Sequence, residues 1–151
     1  MKLKELIGSA DKIWLVVLPF LVIGLVLNIL IPTWFDMGGP SPTLEVISIV
    51  LLVPGVVVWI WSVVLILTKV PQKQLITNGP YALVKHPLYT GVAILVLPWV
   101  GFLCNTWLGV LVGASLYVGS RIFSPQEEAT LSKTFGADWE NYRKSVKISW
   151  L

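Results

Sequence analysis

Three long apolar runs divide the 151-residue chain, and none of them contains Asp, Glu, Lys or Arg: Ile13–Phe35, Val46–Thr68 and His86–Ser120. The first two hold 23 residues each and the third holds 35. About 20 helical residues, at roughly 1.5 Å each, cross a hydrocarbon core of about 30 Å. Each of the first two runs therefore predicts one membrane-spanning helix. The third is too long for one span and short for two separated ones. Its middle, GFLCNTW from Gly101 to Trp107, carries Gly and Asn and predicts a tight turn. A helical hairpin follows. Backbone groups in lipid must be satisfied within the chain, so helices are expected throughout. Pro19, Pro54 and Pro98 are expected to bend or start helices. The predicted fold class is all-α: a polytopic integral membrane helical bundle of about four transmembrane helices. The last two form a tight hairpin, and cytoplasmic amphipathic helices follow at the C-terminus.

Composition agrees with the pattern. The chain is 56% hydrophobic and 13% charged, against roughly 45–50% and about 25% in soluble domains. So little charge cannot cover a soluble surface. The length suits a single domain, 1–151. The net charge of +3 raises the question of nucleic acid. The basic residues cluster at the ends of the apolar runs, however, which fits lipid headgroups and membrane orientation and gives no reason to expect nucleic acid. No grouping of Cys, His and carboxylates has metal-ligand spacing, so no metal is expected. Cys104, the single cysteine, lies in an apolar context and is expected to be a buried small residue. Lys2 and Lys4 resemble the basic start of a signal peptide, but the run that follows is longer than a typical h-region and lacks a small-x-small site. A retained span is expected.

Lys and Arg also set the orientation. They occur in the N-terminal segment (Lys2, Lys4, Lys12), the loop after the second span (Lys69, Lys73, Lys85) and the tail (Arg121, Lys133, Arg143, Lys144, Lys147). The first loop and the hairpin turn have none. Both termini are then cytoplasmic, and the second loop and the tail face each other at one membrane surface. A prokaryotic plasma membrane is the expected setting.

Those two segments hold most of the polar chemistry. In TKVPQKQLITNGPYALVKHPLYTG, Asn78-Gly79-Pro80 signals a turn. Pro87 suits the first turn of a helix, which puts His86 at the helix entrance. Free amides and partial positive charge there would receive a carboxylate or phosphate. Equally, His86 can simply cap the helix while Tyr89 sits in an interfacial aromatic belt. In the tail, Ser124, Pro125 and Glu127 match the N-cap, N1 and N3 positions of a capping box. Leu131, Phe135, Trp139 and Tyr142 then recur at helical spacing, predicting an amphipathic helix lying on the membrane and broken at Gly136. Glu127 and Glu128 are about 100° apart on a helix, so they are not expected to address one small group. Arg121 is either a positive-inside anchor or an anion binder.

NGPYALVKHPLYTG, a hydrophobic hairpin, and then EEATLSKTFGADWENYRKSV together resemble the catalytic half of the isoprenylcysteine carboxyl methyltransferase and phospholipid methyltransferase group, over about Lys73 to Lys147. The resemblance divides the chain into N-terminal spans (1–72) and a catalytic half with the cofactor site (73–151). It implies an integral membrane enzyme that uses S-adenosylmethionine, leaves S-adenosylhomocysteine, and needs no metal. The acceptor would be lipid-like or a prenylcysteine-type carboxylate, arriving from the bilayer. By position, the implied cofactor contacts are Lys73, Gln74, Leu75, Ile76, Tyr81, His86, Pro87, Leu88, Tyr89 and Glu127, with the cofactor at the cytoplasmic face. Two departures stand out. Lys85 replaces an arginine before His-Pro, and Phe123 stands where animal isoprenylcysteine enzymes carry a substrate-binding arginine. Arg121, half a turn away, is the candidate replacement, so the implied catalytic pair is Glu127 and Arg121. Two alternatives have different sequence expectations. A sterol-type NADPH reductase would show HPNY followed by Gly-Glu, where this chain has HPLYTG. A non-enzymatic tetraspan protein remains open, but no run carries a mid-span charge of the kind an ion path needs.

Overall fold

The computed structural model describes residues 10–39 and 41–149. Lys2 and Lys4, used in the orientation argument, lie outside them. Helices dominate. Among the described residues there is no strand, only an isolated bridge between Asp36 and Thr106. Helix α1 runs Ala10–Leu30 and α2 runs Pro42–Lys69. Helix α3, Pro87–Leu103, and α4, Leu108–Phe135, form the expected hairpin, with Asn105 taking a positive φ in the turn. Helix α5, Ala137–Ser145, follows directly. Three helices, α1, α2 and α4, are long and apolar enough to cross a membrane, and α3 is a shorter apolar helix.

The outer faces fit lipid and not water. Leu15 is 73% exposed and Ile29 is 75% exposed. A water-facing bundle would not leave such contiguous apolar surface. Inside, small residues allow close contact, as membrane helix packing requires. Helix α1 packs on α4, while α2 packs on α3. A side chain at Gly109 would overlap the Leu97 carbonyl, so the hairpin closes only with glycine at that position.

The prolines act in different ways. Pro19 and Pro54 lie inside α1 and α2. Pro98 has no N–H for the Ile94 carbonyl one turn back. The helix widens into a π turn at Val92–Val96, and the Trp99 indole donates to Ile94 O at 3.1 Å. At the far end, Asn105 donates to Asp36, Thr106 Oγ1 donates to Asn28 Oδ1 at 2.9 Å, and Trp107 N donates to Phe35 O at 2.9 Å. These bonds strap the first loop to the hairpin turn. Cys104, expected to be buried, is exposed in that turn, because the reversal turns its side chain outward.

The tail departs from two expectations. No helix starts at Ser124: α4 continues through Pro125 to Phe135. A helix already propagating loses only one bond at a proline, whereas a new start would need the chain to break. Helix α4 does end at Gly136, whose φ of +51° suits glycine. Moreover, the stripe Leu131, Phe135, Trp139 and Tyr142 does not face lipid. It closes over Leu75 and Tyr81 of the second loop, with Trp139 only 2% exposed. Tyr142 Oη donates to Tyr81 O at 2.8 Å, and Ile148 N donates to Leu83 O at 2.8 Å. The second loop and the tail therefore form one packed lobe at one end of the bundle.

Candidate active site

His86 takes the N-cap position of α3, with Pro87 behind it in the first turn. Across from it, α4 presents Glu127 and Glu128. The imidazole lies between them: Nδ1 is 3.6 Å from Glu127 Oε2, and Nε2 is 3.3 Å from Glu128 Oε1. The two carboxylates thus do address one group. The ring nitrogens lie on opposite edges, so acceptors about 100° apart on one helix can flank the ring. Lys85 Nζ completes the cluster, donating to Glu128 Oε1 at 2.6 Å. Tyr89 Oη donates to Glu127 Oε1 at 3.3 Å from one turn into α3. Glu127 is buried, so these contacts compensate its removal from water.

Beside the cluster lies a cavity of about 80 Å³, lined by Gln74, Leu75, Ile76, Tyr81, Lys85, His86, Leu88, Tyr89 and Glu127, with Ile66, Val70, Leu131, Phe135 and Tyr142 closing it. Burial pushes the Tyr81 and Tyr142 phenols above their ordinary range, so both remain protonated donors. An open polar groove of about 720 Å³ adjoins the cavity, sharing Gln74, Leu75, Phe135 and Tyr142 and adding Lys73, Asp138 and Asn141. On the bundle side, Leu88 and Tyr89 also line an apolar cavity of about 460 Å³ between α1, α2, α3 and α4.

Residues 45–133 match the isoprenylcysteine carboxyl methyltransferase family. The chain belongs to that family. The matched region of this ICMT-family chain runs from α2 through the hairpin to both glutamates. Two rice relatives, from Oryza sativa subsp. indica and subsp. japonica, are each named "Probable protein-S-isoprenylcysteine O-methyltransferase". Each is 37% identical over 78 residues, covering 50% of this chain and 39% of the relative. The chain therefore aligns with well under half the length of the curated relatives it matches. No solved structure matches.

Most of the site residues implied by sequence meet at one cavity: Gln74, Leu75, Ile76, Tyr81, His86, Leu88, Tyr89 and Glu127. Lys73 sits in the adjoining groove. Pro87 faces the other way, into a separate apolar groove with Val58 and Ile148. Arg121 is not brought to the site. It is exposed on α4 and lines neither cavity, because helical rotation turns it away from the Glu127 face. Sequence reasoning left out Tyr142, Phe135 and Leu131 as cavity walls, although their helical spacing was visible. It also left out the Lys85–Glu128 pair, which no spacing rule reveals across 43 positions.

Proposed function

We propose that this ICMT-family chain is a membrane methyltransferase that uses S-adenosylmethionine and methylates an amphiphilic acceptor arriving from the bilayer. One observation carries this reading. The His86 helix entrance and the Glu127 segment converge on a single cavity, which shares Gln74, Leu75, Phe135 and Tyr142 with a polar groove on one side and Leu88 and Tyr89 with an apolar cavity between the helices on the other. A water-soluble donor and a lipid-soluble acceptor would then meet near Leu88 and Tyr89. Four spans with the lobe at the cytoplasmic face fit this use of the two sides.

The residues suit the donor's chemistry. The cavity alone, at about 80 Å³, is smaller than the roughly 300 Å³ of a small-molecule site, but the polar groove shares its wall of Gln74, Leu75, Phe135 and Tyr142, so movement of those side chains would extend it. Glu127 would accept from a diol or an amine. Gln74 would donate and accept at the groove wall. Tyr81 and Tyr89 present flat faces for adenine or for a sulfonium cation. The free amides at the head of α3, beside His86, would hold a carboxylate. When bound, the donor supplies an already activated methyl group for in-line displacement. The chain's task is to align the partners and exclude water, an effect worth several kcal/mol.

Calorimetric titration of the purified protein with S-adenosylhomocysteine and with NADPH tests the reading. Saturable binding of the first and none of the second is expected. Binding of NADPH alone would replace the methyltransferase with a reductase, and binding of neither would remove the enzymatic reading.

A further inference from the structure

His86 has two ring nitrogens and a carboxylate beside each, so either nitrogen could in principle keep the proton of a neutral imidazole. The backbone does not decide between them. Pro87 narrows the conformation of His86, which sits at φ −125° and ψ 61°. The χ2 torsion of histidine, however, is broad and roughly two-fold. The neighbours decide instead. Nε2 is 3.3 Å from Glu128 Oε1, at the long end of hydrogen-bond reach, whereas Nδ1 is 3.6 Å from Glu127 Oε2, beyond it. Lys85 Nζ lies 2.6 Å from that same Glu128 oxygen, so the carboxylate is ion-paired and offers acceptors only. A bare Nε2 would set a lone pair against it. A proton on Nε2 makes that edge a charge-assisted hydrogen bond. The other tautomer gains no equivalent bond, because Nδ1 is too far from Glu127, which Tyr89 Oη already contacts at 3.3 Å.

From this we infer that Glu128, anchored by Lys85, is a positioning residue that fixes the His86 ring with a proton on Nε2 and turns Nδ1 to the edge shared with Glu127. Glu127 forms part of the cavity wall and Glu128 does not, so Glu128 acts through the ring. Whenever His86 gains or gives a proton, the atom that changes is Nδ1, beside the cavity-lining carboxylate. Nε2–H is kept in every form. A ring held in this way presents one fixed surface to the cavity, as a preorganised site requires. The effect on donor binding rests on the methyltransferase reading above; the ring geometry does not.

His86 is the only histidine in the chain, so protein made with nitrogen-15 histidine reports on this ring alone. Long-range proton–nitrogen correlation spectra of the purified protein in detergent are expected to show a protonated Nε2, whatever the state of Nδ1. Glu128→Leu is expected to move the ring toward the Nδ1–H tautomer. It should also weaken S-adenosylhomocysteine binding by about tenfold, the loss that follows one hydrogen bond to a charged group. Glu128→Gln keeps an acceptor oxygen and should return the ring signature, with affinity within about threefold of the parent. An unprotonated Nε2 in the parent protein overturns the assignment without any variant. Unchanged spectra in Glu128→Leu overturn the positioning role. Altered spectra with parent-like S-adenosylhomocysteine affinity overturn the link between the ring and donor binding. A parent protein that shows Nε2–H but binds no S-adenosylhomocysteine overturns the methyltransferase reading and leaves the ring assignment standing.

Discussion

Replacing Trp139 with alanine tests whether the lobe is built by docking of the tail. Trp139 is 2% exposed and packs between Leu75, Tyr81, Phe135 and Tyr142. A buried tryptophan hides about 150–250 Å². At about 25 cal/mol per Å², that is roughly 4–6 kcal/mol, close to the ~3–5 kcal/mol typical of Trp→Ala in a core. Trp139 is the largest side chain in the cluster that joins α5 to the second loop, so the loss falls on the docking of α5, while α1–α4 keep their contacts. Once the undocked form dominates, each further 1.4 kcal/mol or so weakens apparent cofactor affinity about tenfold. Hydrogen exchange by mass spectrometry, together with S-adenosylhomocysteine titration, reads both effects. Protection is expected to fall across residues 74–83 and 137–148 and to persist in α1 and α2, with affinity down by more than about tenfold. Unchanged protection in the 74–83 loop, or affinity within twofold or so of the parent, would refute the docking argument.

Three further outcomes are expected. Glu127→Gln should weaken S-adenosylhomocysteine binding by about tenfold or more while shifting thermal unfolding little. A pure stability loss with intact binding would remove Glu127 from the site. Lys85→Met leaves Glu128 without its cation. Side-chain exposures of 14% and 21% place this pair between surface and interior, so a loss of about 1–3 kcal/mol is expected in thermal unfolding and should be largely restored by Lys85→Arg. Gly109→Val forces a side chain into the Leu97 carbonyl. A destabilisation of about 1–3 kcal/mol or more, measured as lower yield of folded protein in detergent, is the expected result.

The charge-free runs made the long helices legible. Ile13–Phe35 contains most of α1 and ends beyond it, where Pro32 starts a separate short turn, and Val46–Thr68 lies wholly inside α2. His86-Pro87 marked the head of α3, because proline at a first turn is a local preference with few competitors. The misreading of Ser124-Pro125-Glu127 came from using a start signal where a helix was already running. Periodicity identified the Leu131–Tyr142 face but could not say whether lipid or protein covers it, since both are apolar. The cavity's convergence of Gln74, Tyr81, His86 and Glu127 was reached through resemblance to a family, not through spacing. Contacts across some forty positions depend on how the hairpin folds back, and no local rule carries that information.

Helix α4 runs unbroken from the hairpin turn to Phe135, 28 residues, or about 42 Å at 1.5 Å each. Its first portion is apolar enough to cross a membrane and its last portion carries both glutamates. Such a rod converts tilt at one end into displacement at the other. A thicker or thinner bilayer, by changing the angle at which α4 stands, would slide Glu127 relative to His86. Lipid thickness would then act as a dial on the geometry of the His86–Glu127–Glu128 cluster.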